Sequence, residues 1–277
     1  MTSFAIPFQK GDYGIMIRLI VFDVDGTVLP RGANAISPEL FWEIRRLAGM
    51  GIKFCVSSGR QYSILSRLFE PVRRDVYFLC ENGAVVYAPG RPGHVIDKTI
   101  MDRAKAVQLA KEIMDFPQCE VVLSGLNTAY VCAKRRAFIS FVKDTLQNNT
   151  VVIDSPDAVP EDIIKVAAYC RRDAFDTMFR LSPKWECFKP MMAGKEWIEF
   201  SQADKGTALQ RLCFRLRIEL GDVMAFGDNY NDLPMLSVVG YPIIMENSQR
   251  ELMYFFKKRC SRVENVLEEL YLRRPTY

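Results

Sequence analysis

The chain has 277 residues, enough for roughly two domains. Its 49% hydrophobic and 25% charged residues describe a globular protein, and no apolar run is long enough to span a bilayer. A formal charge of +4, scattered over Arg73-Arg74, Lys134-Arg135-Arg136 and Lys257-Lys258-Arg259, makes no stripe for nucleic acid, so these clusters read as solvated faces.

Residues 1–15 show no clear period and are expected to be a flexible extension. Ile17 to Phe22 is a short, β-branched, apolar run, the pattern of a central strand in a parallel sheet. It stops at Asp23 and Asp25, followed by Gly26 and Thr27. Two acids this close repel unless a cation or a shared proton intervenes. A plain Asp-Gly turn is the competing reading. Ser37-Pro38-Glu39 then starts a helix that runs to about Met50. Ile52 to Val56 reads as a second strand, ending in Ser57-Ser58-Gly59-Arg60 before a helix over Gln61 to Phe69. Val76 to Cys80 and Val85 to Tyr87 follow as strands around Glu81-Asn82-Gly83-Ala84. Strand and helix alternating in this way imply a parallel sheet.

The rhythm changes after Pro89 to Gly93. A helix is expected over Asp102 to Phe116, then a hairpin of Glu120 to Leu123 and Ala129 to Ala133. A helix over Arg136 to Gln147, strands at Val151 to Ile153 and Ile163 to Tyr169, and a helix over Asp173 to Leu181 complete an α+β unit. The expectation is an inserted domain over residues 88–190, with 16–87 and 191–277 forming the α/β core. The first pattern resumes with a strand at Glu196 to Phe200 and a helix from Asp204-Lys205-Gly206-Thr207 to Leu216. A strand at Val223 to Phe226 runs into Gly227-Asp228-Asn229-Tyr230-Asn231-Asp232. A strand at Tyr241 to Met245 and helices over Gln249 to Lys258 and Val263 to Leu272 close the chain.

Eight cysteines, none in a CxxC pair and with no signal peptide read ahead of them, suggest reduced thiols of a cytosolic protein. The single histidine, His94, lies beside the Pro89 to Gly93 breakers. It leaves no room for a zinc site of several histidines.

Four strand ends or helix starts carry polar groups: Asp23 and Asp25; Ser57 and Ser58; Lys205; and Asp228, Asn231 and Asp232. Singly, each could be a cap or a solvated loop residue. The carboxyl ends of parallel strands share one edge, however, so these groups should converge. Together they suit phosphoryl transfer, with a carboxylate nucleophile, oxygen ligands for magnesium, a lysine for phosphoryl charge and a second acid for proton transfer.

The ordered motifs DVDGT, SSGR, ENGA, DKG and GDNYND resemble the haloacid dehalogenase (HAD) superfamily, and the long insertion resembles its Cof-like phosphatase branch with a type IIB cap. The resemblance covers Met16 to about Leu270. It implies a doubly wound core with an α+β cap and an Mg2+-dependent phosphatase of small phosphorylated metabolites, such as sugar phosphates. Asp23 would be the nucleophile and Asp25 the general acid and base. Lys205 would hold the nucleophile and phosphoryl group, and Ser58 would bind phosphate, with Gly59 or Thr27 helping through backbone groups. Magnesium would be held by Asp23, the Asp25 carbonyl and Asp228, with Asn231 or Asp232 close by. Asn82 would face the substrate. Serine stands at Ser58 where the family commonly has threonine. The tail carries Phe255 and Phe256 in place of small residues. A sugar phosphomutase and a non-catalytic phosphometabolite-binding module are the alternatives, and a monomer or homodimer is expected.

Overall fold

The computed structural model describes residues 16–272. The expected N-terminal extension and the last five residues lie outside them. In chain order the elements are β1 (Leu19–Phe22), α1 (Pro38–Ala48), β2 (Lys53–Ser57), α2 (Tyr62–Leu68), β3 (Val76–Cys80), β4 (Val85–Tyr87) and β5 (Val95–Lys98). Next come α3 (Arg103–Met114), β6 (Cys119–Ser124), β7 (Ala129–Cys132), α4 (Arg136–Ser140), β8 (Thr150–Val152), β9 (Lys165–Cys170) and α5 (Ala174–Trp185). The remainder is β10 (Met191–Met192), β11 (Trp197–Phe200), α6 (Lys205–Leu216), β12 (Val223–Gly227), α7 (Leu233–Leu236), β13 (Tyr241–Met245), α8 (Leu252–Phe255), β14 (Arg259–Cys260) and α9 (Val263–Leu272). Among the described residues no helix is long and apolar enough to cross a membrane.

The first compact unit comprises the described residues through Gly59, Leu65–Asp97 and those from Asp204 onward. Its sheet has the order β14-β13-β12-β1-β2-β3-β4-β5, parallel from β14 to β3. Residues 19–22 of β1 are all buried because helices cover both faces. On one face Leu19 and Val21 meet Leu209 and Leu212 of α6 and Met235 and Leu236 of α7. On the other, Phe22, Phe54, Phe69 and Phe78 form an aromatic layer with ring centroids 6.0–6.3 Å apart. Burying each such side chain contributes about 1.5–3 kcal/mol. Helix α1 starts as its sequence suggests: the Ser37 hydroxyl accepts from the Leu40 N–H at 3.3 Å, and Pro38 occupies the first turn.

The second unit, Arg60–Ile64 with Lys98–Ala203, is built on a six-stranded sheet of order β10-β11-β9-β6-β7-β8. Its pairings are antiparallel except β7 with β8. Alternation along the strands sends Val121, Leu123, Val166, Ala168, Ile198 and Phe200 into a core with residues of α3 and α5. The opposite face carries Val122 and Val131 under Phe138 and Val142. Tyr169 stands 5.2 Å from the Phe138 ring and 5.0 Å from that of Trp197.

Four expectations need correction. The insertion does not begin at Ala88, because β5 extends the first sheet beside β4. It does not end at Pro190, because β10 and β11 form a hairpin whose second strand pairs with β9. The helix expected over Gln249 to Lys258 is a single turn, α8; Phe256 then turns extended (φ −124°), and β14 pairs with β13. Finally, Cys119 and Cys170 are not free thiols but form a disulfide, because the register of β6 on β9 sets them directly opposite.

Candidate active site

The site is assembled at the carboxyl ends of β1, β2, β3 and β12. The Asp23 N–H donates to Phe226 O at 3.0 Å, which fixes the end of β1 against β12. Beyond it the chain folds back on itself. Val24 O accepts the N–H groups of Thr27, Val28 and Leu29, and Asp25 makes a one-residue bridge with Leu29. Gly26 has φ +88°, and a Cβ there would stand 2.2 Å from Asp228 Oδ2. Only glycine lets this turn lie against Asp228.

Lys205 is the first residue of α6, whose start is fixed by Asp204 Oδ1 accepting from the Thr207 N–H at 2.8 Å. Its ammonium is wholly buried and donates to Asp23 Oδ1 at 2.5 Å, Asp232 Oδ1 at 2.6 Å and Ser57 O at 3.1 Å. Asp232 Oδ2 accepts from the backbone N–H groups of Asp228 at 3.0 Å and Asn229 at 3.1 Å. Both Asp232 oxygens are therefore engaged, and this acid shapes the loop after β12.

Asp23, Asp228 and Asp232 each offer a carboxylate oxygen within 4.8 Å of the others, and all three are buried. Asp228 Oδ1 is buried with no hydrogen-bond partner among the described residues. Burial, and next the Asp232 charge, push the Asp23 carboxyl up to about 8 against the pull of Lys205. Burial first, then Asp232, pushes Asp228 up to about 6. For Lys205 burial acts downward, but Asp23 and Asp232 outweigh it and raise the group, so the ammonium stays charged. One lysine thus faces three acids. An oxygen-only donor set with an orphaned carboxylate oxygen fits a hard divalent cation such as Mg2+. Asp23 and Asp228, with the Asp25 carbonyl, would hold it.

The other expected residues fall around this cluster. Ser58 is buried at the end of β2, its N–H bonded to Leu79 O at 2.9 Å. Glu81, Asn82 and Gly83 all have positive φ, a tight turn in which the Asn82 N–H returns to Ser58 O at 2.9 Å. Asn231 Nδ2 donates to Asn82 Oδ1 at 3.1 Å, and Gly59 lies beside the same amide. Thr27 is buried, and its hydroxyl has no partner among the described residues. Asp25 is exposed at the turn.

Sequence reasoning missed two side chains here. Asn247 Nδ2 donates to Gly26 O at 2.8 Å; its place just past β13, at the same sheet edge, was the available signal. Arg31 reaches Asp228 from a loop, and nothing in its sequence context marks it.

Residues 20–264 match the model of the haloacid dehalogenase-like hydrolase family. The chain belongs to that family. This hydrolase is 24% identical over 248 residues to the 5-amino-6-(5-phospho-D-ribitylamino)uracil phosphatase of Escherichia coli, covering 88% of this chain and 90% of that one. It is also 24% identical over 254 residues to the HMP-PP phosphatase of Serratia proteamaculans, covering 86% of each. A solved structure from Eubacterium rectale aligns with a TM-score of 0.85 at 27% identity, covering 92% of this chain and 99% of that one. The HAD subclass IIB sugar phosphatase BT4131 shares the fold, with a TM-score of 0.77 at 15% identity and coverage of 92% and 99%.

Proposed function

We propose that this hydrolase is an Mg2+-dependent phosphatase of small phosphorylated metabolites that works through an aspartyl-phosphate on Asp23. The observation that carries the reading is the Asp23 carboxylate, pinned at the end of β1 by Lys205 beside the buried Asp228. Two relatives named as phosphatases of small phosphorylated compounds support the substrate class.

An Asp23 oxygen attacks phosphorus while the bond to the leaving oxygen breaks, and Asp25 gives that oxygen a proton. Asp25 then takes a proton from water as the water attacks phosphorus, the Asp23–phosphorus bond breaks, and inorganic phosphate leaves. Lys205 offsets the charge on Asp23 and on the phosphoryl oxygens, and the Ser58 hydroxyl donates to one of them. A bound Mg2+ would supply charge neutralisation between the anionic nucleophile and the anionic substrate.

Phosphate release from a panel of sugar phosphates, nucleotides and cofactor phosphates tests this reading. Activity should vanish on chelation, return with Mg2+ and return poorly with Ca2+. Full activity after exhaustive chelation would overturn the metal requirement, and a silent panel would overturn the activity.

The second unit is read as the cap that discriminates among substrates. Its core is built from its own helices and strands. Replacing Lys98–Ala203 with a short linker should therefore leave a folded first unit that hydrolyses the panel with its ranking flattened. An unchanged ranking would count against the assignment.

A further inference from the structure

Beside Lys205, a second cation reaches the acidic cluster. Arg31 follows Pro30 on the loop that leaves the turn after β1, and Gly32 behind it has φ +85°. Its Nη2 stands 3.6 Å from Asp228 Oδ2, although the Arg31 side chain is 74% exposed and that of Asp228 only 3%. The distance is within ion-pair range but long for a hydrogen bond. The stem lies in solvent, so the guanidinium rests on Asp228 without being fixed there. A pair whose cation stands in solvent at this distance is easily exchanged.

Charge decides what happens to it. With Lys205 committed to Asp23 and Asp232, Arg31 is a cation placed to offset Asp228. A divalent cation held by Asp23 and Asp228 would take over that task and repel the guanidinium. A phosphoryl group arriving at Asp23 would bring new negative charge within the reach of the displaced side chain. The planar fork of arginine matches phosphate oxygens, and its charge is permanent.

We propose that Arg31 has two positions in the working cycle: it covers Asp228 in the metal-free protein, and it turns to a non-bridging oxygen of the phosphoryl group once the metal has taken Asp228. Metal loading then creates a phosphate-binding group as well as a metal centre. This inference rests on the phosphatase reading above. It adds a residue that neither the motifs nor the lysine accounts for.

Arg31→Gln and Arg31→Lys test it by calorimetry with two probes. Mg2+ alone is titrated into the chelated protein, and inorganic phosphate is titrated into the Mg2+-saturated protein. Arg31→Gln should bind Mg2+ about threefold more tightly, because a weakly paired competitor has been removed. It should bind phosphate about tenfold more weakly, because a charge-assisted contact has been lost. Arg31→Lys should fall between wild type and Arg31→Gln with both probes. Opposite shifts are the signature, since general damage to the site would weaken both. Unchanged phosphate affinity, or a loss with both probes, overturns the proposal. The two readings fail separately: a wild-type protein that releases phosphate from no phosphomonoester removes the proposed function and this inference with it. An active wild type whose Arg31→Gln variant keeps wild-type affinities removes the inference alone.

Discussion

Asp23→Asn should lose turnover with every substrate, by at least about 10^4-fold, because an amide is a very poor nucleophile at phosphorus. The substitution keeps the shape of the side chain and leaves an amide oxygen for Lys205, so the fold should persist. Asp25→Asn should behave differently according to the leaving group. A sugar phosphate has a poor leaving group and needs the acid, so its first step should collapse. An aryl phosphate needs the acid much less, so phosphoryl transfer to Asp23 should continue while hydrolysis slows for want of a base. Rapid quench should show a burst of phenol followed by slow phosphate release, and intact mass should show one added phosphoryl group. Equal slowing of both substrates, with no burst and no added mass, would overturn this division of roles.

Lys205→Met should damage both activity and stability. Phosphate release should fall by about a hundredfold or more, the usual loss when one preorganised charge partner is removed. In the metal-free protein above about pH 8 the fold should lose about 3–5 kcal/mol, because Asp23 and Asp232 keep their burial and lose their shared cation. The deficit has a sign with pH. Asp23 already sits above its ordinary value of 3.8, at about 8, and removing Lys205 removes a downward pull. A carboxyl raised in the folded state costs stability as pH rises above its unfolded value, and the cost disappears as pH falls back through it. Urea midpoints of variant and wild type should therefore draw together as pH falls from about 10 through 8, because below that Asp23 is protonated in both folded proteins. A constant gap across that range would show that the loss comes from packing.

Much of the fold is legible because this chain marks its strand ends clearly. Val76–Cys80, Val85–Tyr87, Tyr241–Met245 and Val263–Leu272 have the bounds that their apolar runs and flanking breakers suggest. β5 was invisible because an edge strand with two half-buried and two exposed residues has no apolar run. The tail misled because Leu252, Tyr254, Phe255 and Phe256 are all bulky, yet only Leu252 and Phe256 find the core while Tyr254 and Phe255 stay exposed. That choice is tertiary. The same holds for Cys119 and Cys170, 51 residues apart, which meet only through a strand register. In the candidate site, the grouping of Asp23, Lys205, Asp228 and Asp232 follows from where strands end and α6 begins. The Ser57 carbonyl that completes the lysine's bonding has no sequence signature, since every residue has one. Arg31 looks like any solvated loop cation until the turn held by Gly26 brings its loop to Asp228.

The order of strands in the first sheet also constrains how this protein can be made. Strand β1 lies between β2, which follows it closely along the chain, and β12, which is synthesised some two hundred residues later. Growing from its N-terminus, the nascent chain can lay β2, β3, β4 and β5 along one side of β1. The other side stays an open parallel edge, although Leu19, Ile20, Val21 and Phe22 are all 0% exposed in the finished protein. At ribosomal speed the vacancy lasts on the order of ten seconds or more. Throughout that interval Asp23 has neither Lys205 nor Asp228 beside it, so a truncated or stalled product has no assembled centre and offers an apolar edge for misassociation.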